Sequence, residues 1–369
     1  MKVRKVRVWM ALLICIILSG CNAAENKVEI TNKQNVEVQK VNDQFAEAFS
    51  YAGVINGFPI IENLSGKDME IDRFNPKTDT IEKICLIDDF SMSMRFSVED
   101  GPYYYVFMST NINDGKPTLF RINVETLEKE IISHPLDTVP GFSLHKCGNK
   151  LITFGKSVTN DTTYQFVETY DLDSEEWESI REFSYDMNSS EGTVPLGMCA
   201  DDSNIYILCE NRDSLNGKRA VLLVINNKGE IQGTIKVSEE IHNYVATSFI
   251  ADMQIFGEYI YILNASNYCF IGKLEKKEMK EIYRNRDFEV AYGYRGNNPL
   301  FFERNSRNLY ELTEEGLRLF EISVNDDSKQ ILLCLADDKD CYVVCINTVD
   351  ASKTAYVFER NKMGNIYIP

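Results

Sequence analysis

A loose unit of 38 to 54 residues recurs along this chain from about residue 49 onward, and no other feature narrows its fold as strongly. Each unit holds an apolar strand, a polar loop, a second strand and a tight turn. The first strands read GFPIIE (57–62), YYYVFMS (103–109), KLITFGK (150–156), NIYILCE (204–210), YIYILN (259–264), PLFFE (299–303) and CYVVCIN (341–347). The second strands end at Phe74, Phe120, Tyr170, Val224, Gly272, Tyr310 and about Val357. In all units but the last, a large apolar residue follows that anchor by seven positions: Ile81, Leu127, Trp177, Ile231, Met279 and Leu317. That spacing predicts a hairpin with a short polar turn. The last unit departs from it, with Gly364 at the matching place.

Strands rich in Tyr, Ile, Val and Phe, with turn signals at every boundary, predict an all-β fold. A four-stranded unit of this length is the size of one propeller blade, and stacking blades buries faces that no single blade buries alone. The expectation is a seven-bladed β-propeller over 49–369. Six or eight blades, or a β-sandwich followed by a second domain, are the alternatives. Only VNDQFAEAFSYA (41–52) and VSEEIHNYVATSF (237–249) have even a loose helical period. YDLDSEEW (170–177), with an aromatic and Asp before the turn and Trp after it, resembles the hairpin of kelch repeats, and FNPKTDTI (74–81) is similar. The chain has no Gly-Gly doublet of the kelch kind. The resemblance implies propeller geometry and no particular activity.

The N-terminus carries a different signal. Lys2, Arg4, Lys5 and Arg7 precede an apolar run from Val8 to Leu18, too short for the roughly 20 residues a bilayer span needs. A positive leader before such a run is the form of a secretory signal. Its end, Leu18, Ser19, Gly20 and Cys21, resembles the lipobox of bacterial lipoproteins. The resemblance implies a signal peptide over 1–20, lipid on Cys21, and a cell-membrane location on the extracytoplasmic side. Residues 21–48 are then expected to be the lipidated N-terminus and a tether, although Val28 to Ile30 and Val36 to Val38 have the character of short strands, and one of these pieces could instead close the main domain.

Cleavage takes four basic residues from the 39 of the whole chain, leaving 35 against 56 acidic ones, a net charge of −21. Such a chain is repelled by nucleic-acid phosphates and anionic headgroups, so the expected membrane contact is the lipid. Beyond Cys21 stand Cys85, Cys147, Cys199, Cys209, Cys269, Cys334, Cys341 and Cys345. Export permits disulfides, yet several lie in apolar strands, where a cysteine acts as a small buried hydrophobe; most are expected to be free thiols. No paired Cys-x-x-Cys set exists and only three histidines do, so no metal and no cofactor is expected.

No strong catalytic motif appears. Asp201 with Asp202, and Asp337, Asp338 and Asp340, occupy places before a first strand where Gly101, Gly148, Gly257 and Gly296 stand in other units, and they read as turn formers. Asp171, Asp173, Glu175 and Glu176 read as a solvated turn, Tyr103 to Tyr105 as core, and His134 and His145 as isolated loop residues. The loops joining first to second strands are more informative, because in a propeller they gather on one face. They begin at Glu62, Ser109, Lys156, Glu210, Asn264, Glu303 and Asn347, and carry Arg212, Arg304 and Arg307. Guanidinium groups on an acidic protein can clamp a carboxylate or phosphate. The functional expectation is therefore a non-enzymatic lipoprotein whose propeller binds a protein, peptide or cell-wall glycan. The alternatives are an extracytoplasmic carbohydrate-active hydrolase or lyase and, further off, a solute-binding lipoprotein, whose two-lobed α/β pattern is missing.

Overall fold

The computed structural model describes residues 29–368 except 31–34, 37, 49, 66, 89, 111–116, 136–138, 160–161, 187–191, 214–216, 246–249, 265–267, 276, 287, 292–298, 305, 314–315, 325–327 and 361–364. Cys21 and residues 1–20, where the signal peptide was expected, lie outside the described residues. Strands account for 75% and helix for 4% of the described residues, so the protein is an all-β propeller. The two short helices, Asp43–Ala46 and Glu239–Val245, fall in the two segments with a helical period. Asn42 caps the first, its Oδ1 accepting from the Gln44 N–H at 2.7 Å.

The repeat units lay down antiparallel meanders in chain order. Ser50–Ile55, Phe58–Ser65, Asp68–Asn75 and Thr80–Ile87 form one four-stranded sheet; Phe90–Asp100 to Lys129–Ser133 and Val139–Cys147 to Trp177–Asp186 form two more. The hairpin spacing holds as direct cross-strand pairs at Phe74 with Ile81 and Tyr170 with Trp177. Elsewhere it shifts: Phe120 faces Ile131, Tyr310 faces Leu319, and a bulge sets Val224 against Gly233.

Seven separate blades are not what hydrogen bonding draws. The 192–237 and 250–286 meanders are joined edge to edge, Lys236 and Val237 pairing in parallel with Glu278 and Met279, into one eight-stranded sheet. With the three sheets above and the 329–359 sheet, this makes five blades. A remaining seven-stranded sheet mixes the antiparallel 288–324 strands with parallel additions from Glu29–Ile30, Asn35–Val36 and Asn365–Ile368. Sequence periodicity counts meanders, whereas the number of blades depends on which outer edges bond to each other.

The core lies in the seams between successive meanders. Ile60, Met69 and Ile87 pack on Tyr104, Val106 and Phe120, while Tyr105, on the other sheet face, packs with Leu144, Leu151 and Tyr170 in the next seam. The last seam closes the ring. Phe45, Tyr51, Ile61 and Phe74 meet Leu335, Tyr342, Val344 and Ala355, and Gln39–Lys40 adds the fourth strand to the 329–359 sheet, pairing with Val357 and Tyr356. Strands from the segment expected to be a tether thus take part in the sheets. All eight described cysteines are buried free thiols.

Candidate functional site

Among the described residues, five meanders turn tightly from their first strand into their second, at 100–103, 147–150, 200–204, 256–259 and 336–340, and these turns come together around one space. Gly101, Gly148 and Gly257 hold positive φ of 55°, 61° and 57° there, a region costly for side chains with a Cβ. In two other meanders an aspartate does the same work. Asp201 Oδ1 accepts from the N–H groups of Ser203 and Asn204 at 2.8 Å each. Asp337 Oδ1 accepts from Lys339 and Asp340 at 2.8 and 2.7 Å. Each is an Asx turn. The turn-forming reading holds for the first aspartate of each doublet, and leaves Asp202 and Asp338 exposed with no part in the turn.

These turns surround a cavity of about 740 Å³, within the range of small-ligand sites. Glu99, Asp100, Asp201, Asp202, Asp337 and Asp338 line it, with His145, Lys146 and Gln254. Five meanders contribute. Lys146 Nζ bonds Asp100 Oδ1 at 2.5 Å, tying two of them at the rim. Tyr206 donates to Asp201 Oδ2 at 2.9 Å, which keeps that carboxylate in place. His145 is not a loop residue, as expected from sequence, but part of strand Val139–Cys147 and buried at 6% exposure. Among the described residues no group of three or more His, Cys, Asp or Glu could hold a metal ion.

The residues singled out from sequence lie at the other end of the strands. Asn204–Asp213, ten residues long, runs from the Asp201 turn to Arg212, roughly 30 Å at 3.3 Å per residue. Each candidate there is engaged locally. Arg212 Nε bonds Glu210 Oε1 at 2.7 Å, and Glu210 is buried. Arg304 pairs with Glu289 at 2.7 Å. Arg307 Nε donates to the Lys329 carbonyl at 3.3 Å. Glu62, also buried, accepts from Tyr104 Oη at 2.8 Å. Asn264 Oδ1 accepts from the Tyr268 N–H, Glu303 accepts from Asn308 and Asn285, and Asn347 Oδ1 caps Val349. Lys156 is half-buried opposite Gln165 and Val139.

Two further features escaped the sequence. His134 is not isolated: its Nε2 lies 2.9 Å from Glu168 Oε2, with both side chains essentially without solvent exposure. Trp177 and Phe107 flank the imidazole at 4.4 and 5.5 Å between ring centroids. A second cavity of about 570 Å³ lies at the ring closure, with Val38, Phe74, Tyr342 and Phe358 in its wall. The one legible signal for the axial cavity was the doublet itself, because an Asx turn needs a single aspartate and both units carry two.

No protein family model matches this chain, and no curated protein sequence does. Solved structures do match. The acylaminoacyl peptidase of Pyrococcus horikoshii aligns with a TM-score of 0.51 at 15% identity, over 87% of this chain and 53% of that one. An oligogalacturonate lyase from Vibrio parahaemolyticus aligns at 0.50 and 11%, over 90% and 98%. The β-propeller domain of the Trilobed protease from Pyrococcus furiosus aligns at 0.49 and 16%, over 82% and 89%. At identities this low the likeness is one of fold alone, and this chain spans about half the length of the peptidase.

Proposed function

We propose that this protein is a lipoprotein anchored through Cys21 on the extracytoplasmic side of a membrane, and that its propeller is a binding module for a cationic segment of a peptide or protein. The observation that carries the binding reading is the axial cavity, where carboxylates from separate meanders face one space. Two unit charges 4 Å apart attract by about 1 kcal/mol in water and more as the dielectric falls, so several carboxylates favour an amine or guanidinium over a neutral or acidic ligand. The charge of the whole chain, −17, adds long-range attraction for such a ligand.

A carbohydrate-active hydrolase or lyase is the second reading, and what supports it is likeness of fold to a lyase of oligogalacturonate. Fold does not carry a site with it, and a polyanionic glycan is disfavoured by an acidic cavity. The arginine-bearing end remains a candidate for an anionic group, but Arg212 and Arg304 already hold carboxylates and Arg307 a main-chain carbonyl.

Calorimetric titration of a Lys-rich peptide and a Glu-rich peptide of equal length tests the reading. The Lys-rich peptide is expected to bind, more weakly as salt rises, and about tenfold or more weakly in an Asp202→Asn/Asp338→Asn variant. Equal affinity of that variant, or preference for the acidic peptide, refutes the site. Anchoring is tested separately: Cys21→Ala is expected to leave the membrane fraction, and an unlipidated N-terminus on the wild-type protein by intact mass refutes it.

A further inference from the structure

The hairpin Lys329–Ala336 to Asp340–Asn347 carries three cysteines in one apolar cluster with Phe302, Leu309 and Phe358. Its register pairs Cys334 with Val343 and Ala336 with Cys341. Cys334 and Cys341 are therefore diagonal neighbours on the same sheet face. Their sulfurs lie 3.3 Å apart, and neither residue has any solvent exposure. We propose that Cys334 and Cys341 are a disulfide-forming pair, joined during folding into a covalent staple across this hairpin.

Local structure brings the two thiols together. They are seven positions apart, and the turn between them is set by Asp337, whose carboxylate accepts from Lys339 and Asp340 while its N–H donates to the Asp340 carbonyl at 3.1 Å. The register that aligns the sulfurs thus needs only the hairpin. Closing to the bond length of about 2.05 Å brings the sulfurs together by roughly 1 Å. Once the ring is packed the chemistry is obstructed, because burial pushes the Cys341 thiol well above its ordinary value, and the thiolate is the species that attacks. The bond therefore forms while the hairpin is still open to solvent.

The step is thiol–disulfide exchange with a small disulfide such as oxidised glutathione. One cysteine thiolate attacks a glutathione sulfur, forming a mixed disulfide and expelling one glutathione thiolate. The second cysteine then attacks the protein sulfur of that mixed disulfide and expels the other. Two protein thiols are oxidised, one small disulfide is reduced to two thiols, and the two S–H protons pass to the departing thiolates. The staple holds the hairpin that brings Asp337 and Asp338 to the axial cavity and whose sheet the N-terminal strand completes.

The test uses the full chain, reduced and unfolded, then refolded in mixed oxidised and reduced glutathione. Acid quenching, alkylation with N-ethylmaleimide in denaturant without reductant, and trypsin digestion follow. Cleavage after Lys329, Lys339 and Lys353 places Cys334 on one peptide and Cys341 with Cys345 on the next. The expected result is a linked 330–339/340–353 pair in most molecules, with fragment ions locating the bond at Cys341, retained in Cys345→Ser and lost in Cys341→Ser. Fully alkylated Cys334 in the refolded wild type overturns the proposal, as does a bond from Cys334 to Cys345 or to any other cysteine. The wild-type map decides alone if a variant fails to fold.

Discussion

Replacing Gly155 with alanine is expected to destabilise this protein far more than one added methyl does elsewhere. Gly155 sits in strand Lys150–Thr159 facing Phe166 of the next strand, and a Cβ placed on it would lie 2.3 Å from Glu168 Oε1, 2.6 Å from Cδ and 2.7 Å from Oε2. No carboxylate tolerates such an approach, so Glu168 must leave its position. It is fully buried and bonded to His134 at 2.9 Å, and His134 lies between Trp177 and Phe107. Losing a buried hydrogen bond of this kind costs about 1–3 kcal/mol. In a protein of this size that lowers Tm by roughly 2–10 °C. Trp177 reports directly once the only other tryptophan, Trp9, is removed; thermal unfolding followed by tryptophan emission on a chain lacking residues 1–20 measures it. A double-mutant cycle isolates the cause. In a Glu168→Ala background the space is vacant, and Gly155→Ala is expected to cost less than about 0.5 kcal/mol. An equal cost in both backgrounds refutes the reasoning.

Three other perturbations act on buried groups elsewhere in the ring. Asp72 is buried with Oδ1 unpaired while Oδ2 accepts from Asn63 at 3.0 Å; burial first, and Glu70 beside it, raise its carboxyl above the ordinary 3.8. The folded state then holds that proton more tightly than the unfolded one, so the penalty is full above the raised value and fades as pH falls toward 3.8. Asp72→Asn is expected to gain on the order of 1 kcal/mol near neutral pH and nothing near pH 4, by thermal unfolding across that range; a gain that grows in acid contradicts it. Phe45→Ala removes a fully buried ring packed at 4.9 Å on Phe74 and 5.2 Å on Tyr51, at a cost of about 3–5 kcal/mol in urea unfolding; a loss below 1 kcal/mol would show the ring closed without it. Arg212→Gln strips buried Glu210 of its 2.7 Å partner and is expected to cost about 2 kcal/mol, whereas an unchanged midpoint would mark the arginine as free for a ligand.

The class of fold is written in local sequence. The alternation within strands such as 103–109 and the polar turns between them are local chemistry, so they survive without any knowledge of neighbours. The same holds for the direct pairs Phe74 with Ile81 and Tyr170 with Trp177, for the two helical segments, and for the aspartates whose carboxylates close their own turns. Other features depend on residues far apart in the chain. His134 and Glu168 are 34 positions apart and meet because the residue just past strand Lys129–Ser133 packs against the central strand Thr162–Asp171. Lys236 and Glu278 bond at an outer edge and merge two meanders into one sheet, strands from near both ends of the chain join the 288–324 meander in a mixed sheet, and five blades stand where seven were expected. Asp202 and Asp338 were legible as turn residues, but not as neighbours of one cavity. Their convergence is a property of ring closure, where Gln39–Lys40 and Phe45 meet the far end of the chain, and a local pattern carries no record of which distant strands come to share an axis.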